Sequence, residues 1–264
     1  MKRILGFTFA FVALLILVGC GEEAALDTPD VDYAVTDNGA TLELSWVEIA
    51  DADGYYIYAD DVAIDTIDDP ATTTFDATTP AAVYGVQAYA GEDVSEIDEI
   101  DCTPVETQNI TVYSLMDPDT SHHSAIQFTT TGSCVTLAVV VANYADIDFW
   151  FNDSVPTHGP VDIVSPGDHA PTPYNSEDNA SANCGTDYDG LDITTAPGGY
   201  STQTAVADQA VYSLWVDPNA NGWDAQNDYF AKMKVESLTG GGPYTITITV
   251  AYQTIPGLRW VVTQ

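Results

Sequence analysis

The chain has 264 residues and a formal charge of -35, from 40 acidic side chains against five basic ones. Such a surface repels nucleic acid, whose phosphates need lysine and arginine partners, and it suits divalent cations or a high-salt habitat where screening relieves self-repulsion. With 45% hydrophobic and 11% aromatic residues, the chain nonetheless has the means to bury a core, which argues against disorder.

In Met1–Cys20, Lys2 and Arg3 precede an apolar run from Leu5 to Val18, and small Gly19 stands before Cys20. A basic start, an apolar middle and a small-residue end make a secretory signal. The run is short of the roughly 18–20 apolar residues that span a bilayer. Leu17-Val18-Gly19-Cys20 resembles a bacterial lipobox, and the resemblance implies cleavage before Cys20 and diacylation of its thiol. The expected location is the bacterial cell envelope, facing outward, with the membrane held through the Cys20 lipid. Residues 21–31 then form a tether, and beyond Cys20 only Lys232, Lys234 and Arg259 are basic.

The remaining length suggests two domains at roughly 100–200 residues each. The pattern throughout is short alternating runs separated by Asp, Gly, Asn and Pro, an all-β signature. Thr41–Trp46 puts Leu42, Leu44 and Trp46 on one face. Gly54–Tyr58, Val62–Ile64, Thr72–Phe75, Ala82–Tyr89 and Val94–Ile100 are further strands. On Leu44-Ser45-Trp46, Gly54-Tyr55-Tyr56-Ile57-Tyr58 and Tyr84-Gly85-Val86-Gln87-Ala88-Tyr89, residues 32–104 resemble a fibronectin type III domain. The resemblance implies a seven-stranded sandwich and no activity. Trp46 and Tyr84 are expected in its core, and the segment lacks an Arg-Gly-Asp adhesion motif.

Residues 105–264 read as a second, larger β-sandwich of jelly-roll type with eight or nine strands. These are Asn109–Leu115, Ser124–Thr129, Val135–Val141, Ile147–Phe151, Ala210–Val216, Tyr229–Val235, Tyr244–Ala251 and Leu258–Val262. The Pro-, Asp- and Gly-rich stretch Pro156–Gly199 is too long for a structureless loop, so short strands are expected near Val161–Val164 and Leu191–Thr194. Cys134 and Cys184 fall in this one domain, in a disulfide-permissive compartment. They are the favoured pair, with Cys102 at the boundary as a competitor for Cys134.

Asp217-Pro218-Asn219-Ala220-Asn221-Gly222 with Asp228 at the twelfth place fits an EF-hand calcium loop. Asp217, Asn219 and Asn221, the Trp223 carbonyl and Asp228 can supply the hard oxygens that Ca²⁺ needs. Aspartate at the twelfth place is similar to the loops of dockerins, although strands flank this one. Asn-Gly is also a hairpin turn signal without any ion. Asp187–Asp192, with three carboxylates, is a second acidic turn. Asp146 and Asp148 share a strand face, either as its wet side or as part of a cation site.

His122, His123, His158 and His169 lack zinc spacing, and no serine sits in a G-x-S-x-G setting. Trp150, Trp215 and Trp223 with Tyr144 and Tyr229 could form an aromatic platform, with Trp223 the exposed member. The expected function is non-catalytic: a calcium-stabilised envelope lipoprotein displaying binding or adhesion domains to a protein or glycan ligand. A carbohydrate-binding module is the alternative, and a hydrolase with paired carboxylates comes after it.

Overall fold

The structure is a computed structural model that describes residues 25–154, 159–168 and 173–263. The expected signal peptide, Cys20, part of the tether, His158 and His169 lie outside the described residues. Among the described residues strands dominate, and no helix is long and apolar enough to cross a membrane.

The first sandwich comprises β1 (Asp32–Thr36), β2 (Thr41–Ser45), β3 (Gly54–Ala59), β4 (Val62–Ile67), β5 (Thr74–Ala77), β6 (Val83–Ala90), β7 (Asp93–Val94) and β8 (Asp98–Asp101). One sheet runs β1-β2-β5. The other runs β4-β3-β6, with β7 and β8 both paired to β6. Successive strand side chains point to opposite faces, so Leu42 and Leu44 of one sheet are buried in one core with Tyr55, Ile57, Tyr84 and Val86 of the other. The Tyr84 hydroxyl donates to the Thr79 carbonyl at 2.6 Å, a tyrosine corner that fixes the entry into β6. This layout is a two-sheet antiparallel sandwich, in line with the all-β reading.

The larger sandwich comprises β9 (Val105–Tyr113), β10 (Ala125–Phe128), β11 (Cys134–Leu137), β12 (Phe149–Asn152), β13 (Asp162–Val164), β14 (Ala180–Asn183), β15 (Gln203–Ala205), β16 (Val211–Val216), β17 (Tyr229–Gly240) and β18 (Tyr244–Tyr252). Two five-stranded antiparallel sheets result, β11-β10-β12-β13-β15 and β14-β16-β17-β18-β9. Phe149, Phe151 and Ile163 of the first meet Tyr212, Leu214, Met233 and Ile248 of the second in one core. In the long stretch, β13 lies where a strand is expected, whereas β14 within it and β15 just after it have no counterpart in that reading. Leu191–Thr194 forms only a single bridge, from Ile193 to Trp260.

That bridge marks the main departure from expectation. Leu258–Val262 reads as the last strand of the larger sandwich, yet it leaves that sheet and enters the first sandwich. Ile255, Leu258 and Trp260 pack in the core with Leu42, Tyr55 and Tyr84, and Trp260 is fully buried. The Trp260 Nε1–H donates to the Ala40 carbonyl at 3.2 Å. Arg259 donates from its backbone to Gly39, from Nε to the Asn38 carbonyl and from Nη1 to the Thr194 carbonyl. Gln253 Nε2 bridges the carbonyls of Cys102 and Trp260 at 2.8 and 2.7 Å. The backbone passes so close at Gly39, where φ is +82°, that a Cβ there would stand 2.2 Å from the Gly257 carbonyl oxygen.

The expected disulfide is not formed: Cys102, Cys134 and Cys184 are all free thiols. Cys134 points into the core between the two large sheets. Cys184 lies in contact with the Ser213 hydroxyl, on the other side of the β14-β16 sheet from that core. A whole sheet therefore separates the two sulfurs, and a bridge needs Cβ atoms only about 4 Å apart. Cys102 belongs to the core of the first sandwich and is beyond the reach of either.

Candidate functional site

At one end of the larger sandwich, residues of both sheets line a cavity of about 270 Å³. Phe128 ends β10 of one sheet, while Tyr229 opens β17 and Tyr252 closes β18 of the other. The Tyr252 ring stacks on Phe128, with centroids 4.5 Å apart, and on Tyr229, 5.6 Å apart, both with an interplanar angle of 20°. Asp148 and Glu177 bring carboxylates to the same cavity.

Asp148 stands just before β12, where its backbone N–H donates to Ile126 and its carboxylate accepts the Phe128 N–H. Glu177 accepts a hydrogen bond from Asn179 Nδ2 at 2.7 Å. The same Nδ2 donates to the Asp148 carbonyl at 2.9 Å, and Asn179 Oδ1 accepts the Asp217 N–H at 2.8 Å. One buried amide thus holds three acid-bearing segments together. Burial, with repulsion from Glu177 and Asp146, pushes the Asp148 carboxyl up to about 8. Glu177 is raised in the same way, by burial first and then by Asp146 and Asp217. Both shifts follow from taking a carboxylate out of water beside like charge.

Of the two residues expected to share a wet strand face or a cation site, Asp146 is exposed and Asp148 is half-buried. Nothing in the sequence around Glu177 or Asn179 singles either out, since each sits alone in a polar connection.

The Asp217–Asp228 loop adjoins this cavity through Val216, Pro218 and Tyr229. Its two end carboxylates are buried, Asp217 at 2% exposure and Asp228 at 0%. Asp217 accepts the backbone N–H groups of Asn221 and Gly222, and Gly222 at φ +80° makes that return possible. Asp228 Oδ2 accepts the Trp215 indole N–H and the Asp224 N–H, both at 2.9 Å. Its Oδ1 is buried without a partner. Burial, with repulsion from Asp217 and Asp224, raises Asp228 to about 6. Asn219 and Asn221 are exposed. Among the described residues no group of three or more His, Cys, Asp or Glu side chains is placed to hold a metal. The buried Asp228 Oδ1 is left open to a cation, whereas both Asp217 oxygens are taken by N–H groups and Asn219 and Asn221 face solvent.

The aromatic platform is not assembled. Trp150 is buried with Ala125, Ile147 and Val164, on the outer face of its sheet. Trp215 is half-buried against Phe230. Trp223, expected to be exposed, is half-buried because the chain returning at Gly257 accepts its indole N–H at 3.2 Å.

The acidic turn Asp187–Asp192 encloses a lysine. Lys232 is fully buried, with Nζ donating to the Tyr188 and Leu191 carbonyls at 2.9 and 3.2 Å and lying 4.4 Å from the Tyr188 ring centroid. His122 pairs with Asp117 and stacks on Tyr113, while His123 Nδ1 contacts Thr136. Compared with family models and with curated proteins, the chain matches none.

Proposed function

We propose that this chain is a lipid-anchored protein of the bacterial cell envelope that binds a ligand without transforming it. The ligand site is the cavity of the larger sandwich, and the first sandwich is the spacer that holds it off the membrane. The observation that carries the reading is the convergence of Phe128, Tyr229, Tyr252, Asp148 and Glu177 on one cavity. Apolar walls with a few placed polar groups are the usual make-up of a small-ligand site. Anchorage rests on the lipobox-like Leu17–Cys20, and Cys20→Ser should abolish incorporation of labelled fatty acid.

Calcium has a supporting role in this proposal. Ca²⁺ held by Asp217 and Asp228, with Asn219, Asn221 and the Trp223 carbonyl, would neutralise the crowded end of the β16–β17 connection. Binding only to the native state stabilises it by RT ln(1 + [L]/Kd), about 2.7 kcal/mol at a hundredfold excess over Kd. The protein should therefore melt higher in millimolar Ca²⁺ than in chelator, with monovalent salt equally high in both. Asp217→Ala should remove most of that difference. An equal response in the variant would mean diffuse screening of the acidic surface.

A second reading has one specific observation in its favour: two carboxyl groups share the cavity, as the acid and base of a glycoside hydrolase do. One experiment separates the two. The protein is incubated with an envelope-polysaccharide digest and a metabolite mixture, and retained compounds are identified by ultrafiltration and mass spectrometry. A compound retained intact by the wild type and lost with Tyr252→Ala supports binding. Products of cleavage that vanish with Asp148→Asn support the hydrolase and overturn the first reading, as does retention of nothing.

A further inference from the structure

The chemistry of the cavity restricts what it can take, given the reading that it is the ligand site. We infer that its ligand is a small organic cation, a protonated amine whose ammonium pairs with Asp148 and Glu177 while its hydrocarbon part lies against the Phe128–Tyr252–Tyr229 stack. The first reason is a charge that no basic side chain of the described protein answers. Three basic side chains follow Cys20, and each is engaged elsewhere. Lys232 is spent on Tyr188 and Leu191, Lys234 on Glu236, and Arg259 on Asn38 and Thr194. Below about pH 8 a proton neutralises Asp148; once it ionises, a cation for Asp148 and Glu177 has to come from outside the described protein.

The second reason is what the other ligand classes would leave behind. An anion would meet two carboxylates inside a chain of charge -35. A neutral sugar would cover both carboxylates without supplying a charge to offset their lost hydration, which is the costly case for buried acids. A bare divalent ion wants six to eight oxygens, and although Thr129, Thr130 and Thr254 add hydroxyls to the two carboxylates, such an ion would leave the ring-lined side of the cavity uncovered. An ammonium with a hydrocarbon arm satisfies both halves of the cavity at once, through charge-assisted hydrogen bonds on one side and apolar burial on the other. Because the Tyr252 ring already stacks on both Phe128 and Tyr229, the stack offers apolar contact more than a face for the charge. The carboxylates must then hold the ammonium. A volume of about 270 Å³, at the low end of ligand pockets, limits the partner to a small molecule.

The test uses the full chain in neutral detergent at pH 8, with calcium present throughout, and a matched pair of probes read by calorimetry: benzylammonium and neutral benzyl alcohol. Benzylammonium should bind, and benzyl alcohol should bind about tenfold or more weakly, since a hydrogen bond to a charged group outweighs a neutral one. Asp148→Asn and Glu177→Gln should each weaken benzylammonium by a similar factor and leave benzyl alcohol unchanged, a pattern that misfolding would not produce. Equal binding of the two probes, both lost with Tyr252→Ala, would overturn the cationic assignment while leaving the cavity as the ligand site. Binding of benzylammonium that ignores all three substitutions would overturn both. Tighter binding of methyl glucoside than of benzylammonium would replace the amine with a sugar.

Discussion

Trp260→Ala should cost about 3–5 kcal/mol, the range for emptying a fully buried large aromatic site, and the loss should fall on the first sandwich. The indole fills the space between Leu42, Tyr55 and Tyr84, with its ring centroid 5.6 Å from that of Tyr84. Removing it also orphans the Ala40 carbonyl and loosens the backbone that Gln253 and Arg259 hold. Hydrogen exchange should therefore quicken in β2 and β6, where Leu42–Leu44 and Tyr84–Ala88 lose their packing, before it does in β16–β18. In the wild type the two sandwiches should melt in one transition because they share this segment. In the variant the first should melt earlier and on its own. Loss of protection confined to the larger sandwich would contradict the placement of this segment.

Asp148→Asn should raise stability at pH 8 and flatten its dependence on pH. The folded chain holds the Asp148 proton up to about 8, from an ordinary value of 3.8. Between those values the unfolded chain releases the proton while the folded chain keeps it, so stability falls as pH rises through that window. Above it both states are ionised and the loss is complete. Asparagine keeps an acceptor for the Phe128 N–H and has no charge to desolvate. The variant should gain on the order of 2 kcal/mol at pH 8 after allowance for local relaxation, or a melting point higher by about 4–8 °C. At pH 4 it should match the wild type. Glu177 and Asp228, also raised by burial, slope the same way and will keep some pH dependence in the variant. An Asn variant no more stable than the wild type at pH 8 would mean that Asp148 is solvated.

Period-two alternation made most of the strands legible, because Leu42-x-Leu44 or Tyr212-x-Leu214 must turn the same way into a core. It was silent on what covers the opposite face. Trp150, Phe230 and Lys232 all lie on outer faces, and all are buried by connections whose own sequences are polar. Asp148 alternates correctly with Phe149 and becomes half-buried for the same reason. Leu258-Arg259-Trp260-Val261 has the composition of a strand, and composition does not say which of two cores will receive it. The end-to-end spacing of Asp217 and Asp228 was readable. The partner that draws Asp217 towards Asp148 and Glu177 is Asn179, 38 residues upstream of Asp217, and only the fold brings it there.

The sharing of Trp260 also sets the order in which the protein can mature. Domains usually fold as units, the N-terminal one first, while the rest of the chain is still being made. Here the first sandwich lacks its central indole until a residue 220 positions beyond Ala40 has emerged and been delivered. The half made first is therefore the half finished last. Until then its unfilled core stays open to chaperones and proteases, so a chain interrupted before Ile255 would be exposed to clearance through its earliest-made part.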